Sequence, residues 1–290
     1  MCSCEKEISV DDSLKATYNM VTCAPVSGHQ LSLMISKSRH FLSRERIRPI
    51  DDVSATIRLN GVVYPATSAA DGKYTFNCTP QGGDLVELLL SSPDCPPLTI
   101  SSRQPQAPSF KIANVSVDSN VYYYYYHFNI RLNDPVGQNY YRIAARIATI
   151  TTTDSTIDTS SFSIARLVDY GTTSAPVLSF EVPSSSEEGY STEPQFYFND
   201  VTFDGKSYQF SCTIQCDKYI TRHKKALIRL VLSSLTRDQY LYERALYAER
   251  SRNHDNPLEE LVQLHCNIHT DSWLGLLGGI SNTSRQCVIE

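Results

Sequence analysis

A strand-like run, ALIRLVLSSL (226–235), leads directly into TRDQYLYERALYAERSRN and then into a tail that holds Trp273 and a group of glycines. This stretch, 226–281, contains the one convincing amphipathic helix in a chain that otherwise reads as alternating strands, so the second half must be arranged to receive it. Thr236 and Gln239 have the spacing of a capping box, in which two side chains satisfy backbone N–H groups at a helix start. Within the helix, predicted near 236–252, Leu241, Ala245 and Ala248, flanked by Tyr242 and Leu246, recur at three- and four-residue spacing. Arg237, Glu243, Arg244 and Arg250 fall mostly elsewhere. Such a stripe requires a sheet to lie on.

Before residue 100 the pattern is strand and turn. HQLSLMISKS turns Leu31, Leu33 and Ile35 to one side, and VSATIRLNG does the same with Val53, Ala55, Ile57 and Leu59 before the hairpin signal Asn60-Gly61. Asp71-Gly72 marks another turn before KYTFNC, where Tyr74, Phe76 and Cys78 share a face. Closely spaced strands with glycine turns and no helix predict a small sandwich of immunoglobulin or transthyretin type. Five prolines between Pro93 and Pro108 disfavour helix and central strand, which places the domain junction there. The expected organisation is a tether over 1–15, a sandwich over 16–103 and a larger β domain with one helix over 104–290; the fold class is mainly β.

In the second domain Tyr122, Tyr124, Tyr126, Phe128, Ile130 and Leu132 form an apolar stripe, with Tyr123, Tyr125, His127, Asn129 and Arg131 opposite. NDPVGQN supplies a turn, and YYRIAARIATI is read as the return strand of a central hairpin with Tyr141, Ile143, Ala145 and Ile147 inward. Residues 151–194 are rich in serine and threonine, either a mobile or a recognition loop. Asp204-Gly205 is read as a further hairpin turn. In Leu274-Gly275-Leu276-Leu277-Gly278-Gly279 no lysine accompanies the glycines to handle phosphate, so they serve instead to let a terminal strand pass close to another backbone.

The nine cysteines follow no tight disulfide spacing. Cys212 and Cys216 share one face of a strand about 13 Å apart, too far for a bond, and most of the thiols are read as small buried hydrophobes. His265 and His269 have the i, i+4 spacing of a helical zinc site, but their surroundings suggest irregular backbone, so no metal and no cofactor are expected. Asp11-Asp12, Asp51-Asp52 and Glu187-Glu188 are sequence neighbours that face opposite ways on a strand. No phosphate-binding loop, nucleophile elbow or dinucleotide fingerprint is present, and no catalytic residue is assigned. A net charge of −5 gives no global field for nucleic acid, although basic runs occur at Arg39–Arg48 and Arg222–Arg229.

Two features point toward a surface. Met1-Cys2-Ser3-Cys4 resembles the processed end of a bacterial lipoprotein signal, in which a small residue precedes a cysteine that becomes the lipidated N-terminus; Ser3-Cys4 fits better than Met1-Cys2. Cys4 is therefore the expected lipidation site, with Cys2 second; otherwise these are incidental thiols of a cytosolic protein. Tyr123, Tyr125, Tyr240, Tyr247 and Trp273 are candidate exposed aromatics, either a stacking platform for a glycan or anchors for a protein or peptide, or else ordinary packing of helix on sheet.

CEKEI after Cys4, NDPVGQNYYRI, FNDVTFDGKSYQF, LSSLTRDQYLYERALY and the late P-x-E-x-V-x-L-x-C-N-I segment together resemble a family of Bacteroidota outer-membrane lipoproteins labelled a domain of unknown function. The resemblance spans nearly the whole chain and concerns the order of elements more than any chemistry. It implies an outer-membrane, outward-facing accessory of a TonB-dependent transporter of the starch-utilisation type, and it implies no catalytic residues. The chain departs from the pattern in VQLHCNIHTDSWLGLLGG, where a cysteine precedes Asn267. Two rival functions stand beside it: a free-standing glycan-binding or adhesion module, and an envelope hydrolase with acid and base groups converging from distant segments.

Overall fold

Alternating burial along each strand builds the first half of the chain. The computed structural model describes residues 17–39, 46–150, 163–164, 166–168, 195–218, 225–251 and 262–289. Its first strands are β1 (Asn19–Cys23), β2 (Ser32–Lys37), β3 (Arg48–Pro49), β4 (Ser54–Leu59), β5 (Val62–Ala70), β6 (Lys73–Phe76), β7 (Leu85–Ser92) and β8 (Cys95–Arg103). Leu33 and Ile35, Ala55 and Ile57, and Tyr74 and Phe76 are buried as their spacing predicts. Asn60-Gly61 (φ 49° and 87°) and Asp71-Gly72 (φ 52° and 75°) close two-residue hairpins with the positive φ that matches the twist of a strand pair. The corner is β5: its first half pairs with β4, its second with β6, and the register slips between Ala66 and Ser68. A strand that changes partner at a bulge lets the sheet fold over on itself. Two layers thereby close on one core that includes Ile35, Ile57, Tyr74, Phe76 and Leu88.

The second half supplies β9 (Ser109–Ser119), β10 (Tyr123–Asn133), β11 (Tyr140–Ile150), β12 (Ser163–Ile164), β13 (Arg166–Val168), β14 (Phe196–Asn199), β15 (Ser207–Asp217), β16 (Lys225–Leu235), α1 (Arg237–Ser251), β17 (Ile268–His269), β18 (Trp273–Leu277) and β19 (Ile280–Ile289). One sheet has the order β13-β15-β10-β9; the other has β12-β11-β16-β19, with β14 also on β11. Phe128, Ile130, Ile143, Ile214, Ile228 and Leu230 fill the space between them. The expected central hairpin is absent: β10 pairs with β9 and β15, while β11 pairs with β16, β14 and β12. Each strand's apolar face looks across the sandwich instead, and residues 133–139 are long enough to cross the roughly 10 Å between packed sheets. Asp204-Gly205 likewise lies in a crossing and not in a hairpin, since β14 and β15 belong to different sheets.

Gly275 explains how the halves are joined. β18 does not stay with the second sandwich; it runs parallel to β1 in the first sheet, Gly275 opposite Val21, and there Trp273 and Leu277 enter the first core. The division at 103/104 therefore does not hold for Ile268–Leu277. A Cβ at Gly275 would lie 1.9 Å from the Val21 carbonyl oxygen, so the close approach expected of these glycines is real and its partner is β1. From Leu277 the chain passes straight into β19 of the second sandwich, with Gly278 N–H donating to the Cys23 carbonyl (2.8 Å) and Ile280 N–H to Pro25 (2.9 Å). Gln104, buried at the same crossing, donates its amide to the carbonyls of both Pro25 and Ile280 (2.8 Å each).

The helix lies on the outer face of the β11–β16 sheet, but on a different stripe from the one read in the sequence. Tyr240 (3% exposed) and Tyr247 (7%) are its buried residues, and Leu241 and Ala245 sit at the flank. Tyr240 packs on Tyr140, ring centroids 4.9 Å apart, and Tyr197 reaches both helix tyrosines. Between these rings Arg142 Nη1 donates to both oxygens of Glu243 at 3.0 Å. The helix turns to seat that ion pair, which a stripe drawn from aliphatic residues cannot foresee. Of the capping box, Thr236 does accept from Gln239 N–H (3.3 Å), whereas the Gln239 side chain turns inward to Glu243 (2.8 Å) and Gly279 accepts from Thr236 N–H.

Two stability changes are expected. Gly275→Ala should cost at least about 3 kcal/mol, because the intruding carbon meets backbone that cannot yield. Glu243→Ala, leaving Arg142 largely buried without its carboxylate, should cost about 3 kcal/mol. Urea unfolding followed by circular dichroism measures both, and a midpoint unchanged in either variant contradicts the corresponding contact.

Candidate functional site

The aromatics proposed from sequence are dispersed by the fold. Trp273 is 1% exposed, with its indole N–H donating to the Pro96 carbonyl (2.9 Å) inside the first sandwich. Tyr240 and Tyr247 lie beneath the helix. None of the three can present a ring to a ligand, because each fills a core that nothing else would fill. Tyr123 and Tyr125 remain half-buried on the outer face of the four-stranded sheet. They are joined by Tyr122, which the alternating stripe had turned inward but which stands before β10 begins and is 70% exposed.

Asn120 sets this arrangement. Its side-chain oxygen accepts from the N–H groups of Tyr122 (2.9 Å) and Tyr123 (2.7 Å), and its amide nitrogen donates to the Tyr125 hydroxyl (3.0 Å). An asparagine that bonds the backbone two and three residues on builds its own turn. The Tyr122 carbonyl is held in addition by Lys218 N–H (2.9 Å). The rings of Tyr122, Tyr123 and Tyr125 follow each other at centroid spacings of 6.4 Å, a ladder of apolar faces with hydroxyls at their rims. Val117 and Val121 are exposed beside it. Further along the same face His127 bonds Thr213 Oγ1 through Nδ1 (2.9 Å) and faces Asp118 across 3.4 Å through Nε2. This surface can stack on a sugar ring or a peptide plane and supply polar contacts beside it.

At the other end of the second sandwich the two crossings bring together Asp134, Asp200 and Asp204, each offering an oxygen within 4.8 Å of the others. These could hold a cation, and no sequence spacing announces them. Their donors are nonetheless well supplied from the protein. Tyr141 O–H and Gly205 N–H donate to Asp134, the Asn139 backbone and side chain to Asp200, and Gly137 N–H to Asp204. The trio thus stitches the two loops to each other. Burial raises the pKa of Asp134, and its bonds from Tyr141 and Gly205 pull the other way.

His265 and His269 do not converge. His265 Nε2 bonds Asp238 (2.8 Å) at the first turn of the helix, and Asp238 also accepts from Asn267 (3.0 Å), while His269 is exposed on β17. Burial pushes the thiols of Cys23, Cys212 and Cys216 up to about 12, which makes them the packing groups expected of them. Cys2, Cys4, most of 151–194 and the greater part of each basic run lie outside the described residues.

With both sandwiches in place, the sequence matches over residues 5–286 a family described as Domain of unknown function (DUF4249). The chain belongs to that family. The match takes in both sandwiches and the strand that links them. No curated protein matches. Among solved structures the chain is similar to a candidate carbohydrate binding protein from Bacteroides uniformis, at 9% identity over 76% of this chain and 90% of that one, with a TM-score of 0.21. It is also similar to a candidate membrane anchored protein from Corynebacterium diphtheriae, at 10% identity over 74% of this chain and 55% of that one, again with a TM-score of 0.21. Superpositions at that score carry no weight on fold or ligand.

The Asp134 bond yields a pH-dependent expectation. A carboxyl whose folded pKa is raised favours the native state most in acid, below the ordinary carboxylate range, and that contribution is lost as pH rises through the raised value. Tyr141→Phe removes a donor from the ionised form, so it should cost roughly 2 kcal/mol at pH 7 and clearly less at pH 4. Equal losses at the two pH values, in denaturant titrations of both proteins, would show that Asp134 is not the partner that matters.

Proposed function

We propose that this protein is a non-catalytic, lipid-anchored surface protein that assists a TonB-dependent outer-membrane transporter in nutrient capture. The observation that carries the reading is that the described N-terminus and the tyrosine ladder lie at opposite poles. β1 runs from Asn19 to the crossing at Cys23–Val26, so Thr17 marks the far end of the first sandwich. β10 runs from Tyr123 toward the same crossing, where Asn133 is paired with Ser207 and Asp134 with the 200–206 loop, so Tyr122 marks the far end of the second. A lipid on Cys4 would hold the Thr17 pole, with at most about 45 Å of extended chain between them, and would leave the aromatic pole pointing away from the bilayer.

The same ladder supports a second reading, a free-standing glycan-binding or adhesion module. Tyr122, Tyr123 and Tyr125 with His127 and Asp118 nearby have the stacking faces and polar rims that a flat sugar site uses. Co-purification separates the two. From detergent-solubilised outer membranes the acylated protein should bring a TonB-dependent transporter with it; recovery of the protein alone, bound to polysaccharide, favours the free-standing module, and recovery from the cytosol with an unacylated N-terminus overturns both. Replacing Tyr122 and Tyr125 together by serine should weaken capture of the ligand roughly tenfold without altering the thermal melt.

A further inference from the structure

At the Thr17 pole, away from the tyrosine ladder, three loops of the first sandwich enclose a notch of about 370 Å³. That is the size of cavity that takes a small molecule. We propose that this notch binds a small organic cation through its ammonium group. Asp52 comes from the loop before β4, Asp94 from the β7–β8 turn and Asp271 from the turn before β18, and all three line the cavity. None of the three has a hydrogen bond or ion pair with any described residue. The contrast with Asp134, Asp200 and Asp204 is informative: there the protein's own donors fill the carboxylate oxygens, whereas here the oxygens face an open space. Three such charges brought to one concavity repel each other, and a cation between them removes that cost.

One positive group sits at the rim, and its geometry leaves the acids free. Lys37 Nζ donates to Asn19 Oδ1 (3.1 Å), and Asn19 Nδ2 in turn reaches the Cys95 sulfur (3.2 Å). The lysine is thus held by a neutral amide, and the lining keeps a net charge of −2 from three carboxylates and one ammonium. An anion is disfavoured by that balance. A neutral sugar would find hydroxyl partners but no aromatic face, since Ile50 is the apolar member of the lining. An ammonium meets carboxylates in charge-assisted hydrogen bonds, the strong kind. The walls are already in place: Asn19 N–H donates to the Ser272 carbonyl (2.8 Å), and Thr270 Oγ1 accepts from Trp273 N–H (2.9 Å), so the turn carrying Asp271 is fixed to β1 and to the core. Little ordering is left for the ligand to impose, which favours affinity.

The test is calorimetric titration of the purified chain with putrescine, and with glucose, citrate and calcium chloride for comparison. Putrescine is expected to bind, more weakly as salt rises from 50 to about 500 mM. Asp94→Asn and Asp271→Asn should each weaken binding roughly tenfold. Ser92→Phe, which fills the notch without changing charge, should abolish it, and Asp118→Asn at the opposite pole should leave it unchanged. Thermal melts confirm that each variant is folded. The proposal is overturned if putrescine gives no binding to the folded chain, if glucose, citrate or calcium binds in preference, or if Asp118→Asn weakens binding as much as the notch variants do.

Discussion

The structure depends on one length of backbone, from Trp273 to Ser281, that belongs to both sandwiches in turn. Its first part is a parallel neighbour of β1 and its last part an antiparallel neighbour of β16. A strand that enters one sheet and leaves through another ties their cores more firmly than a flexible linker could, because displacing either sandwich would break ladder bonds in both. Glycine is required at the points of closest approach. Gly275 lies against Val21, Gly278 leaves room for the Gln239 side chain and Gly279 for that of Gln104. Ser281 adds a bond from its hydroxyl to the Pro105 carbonyl (2.6 Å), so three separate stretches of chain meet at this crossing.

That crossing also fixes the helix. Gly279 accepts from the Thr236 N–H, and Asp238, one turn into the helix, receives His265 and Asn267 from the segment leading into β18. Asn267 in addition donates to the Leu277 carbonyl (2.9 Å) and accepts from the Leu277 N–H (2.9 Å). The polar residues around Cys266, which look like a departure from the family's pattern, therefore bridge helix and strand. They are structural fasteners, and the histidine in them is satisfied by a carboxylate.

Local structure was legible from sequence because it depends on neighbours along the chain. Period-two alternation placed Leu33, Ile57, Phe76, Phe128 and Ile143 inward, and the Asn-Gly and Asp-Gly pairs announced the hairpins. Strand pairing was not legible. Asn133 to Asn139 has every mark of a tight turn, yet two strands with one apolar face each can bury those faces by opposing each other across a sandwich as readily as by lying side by side. Side-chain alternation is identical in the two arrangements, so only long-range packing decides. The same limit applied to the helix, where Tyr240 and Tyr247 outweigh smaller aliphatic residues once Arg142 and Tyr197 are brought beneath them. The ladder was half legible: the odd tyrosines were assigned to the polar face, but the exposure of Tyr122 depends on Asn120 ending the preceding strand, which the unbroken run of tyrosines concealed.

Placing aromatic and acidic surfaces at opposite poles has a physical consequence for any surface-bound form of this protein. Stacking on tyrosine is short-ranged and barely affected by salt, whereas three unpaired carboxylates act over about a Debye length, roughly 8 Å at physiological ionic strength. The poles are separated by the length of two sandwiches, many times that distance, so neither surface perturbs the other electrostatically. Coupling between them would have to pass through the backbone of Trp273–Ser281, which starts beside Asp271 and Ser272 of the notch and ends in the sheet that faces β10. A rigid, glycine-packed strand transmits displacement but has no second packing to switch into, because every residue that could move abuts backbone. The two surfaces are therefore expected to work as independent sites on one stiff rod, and their effects on binding to add.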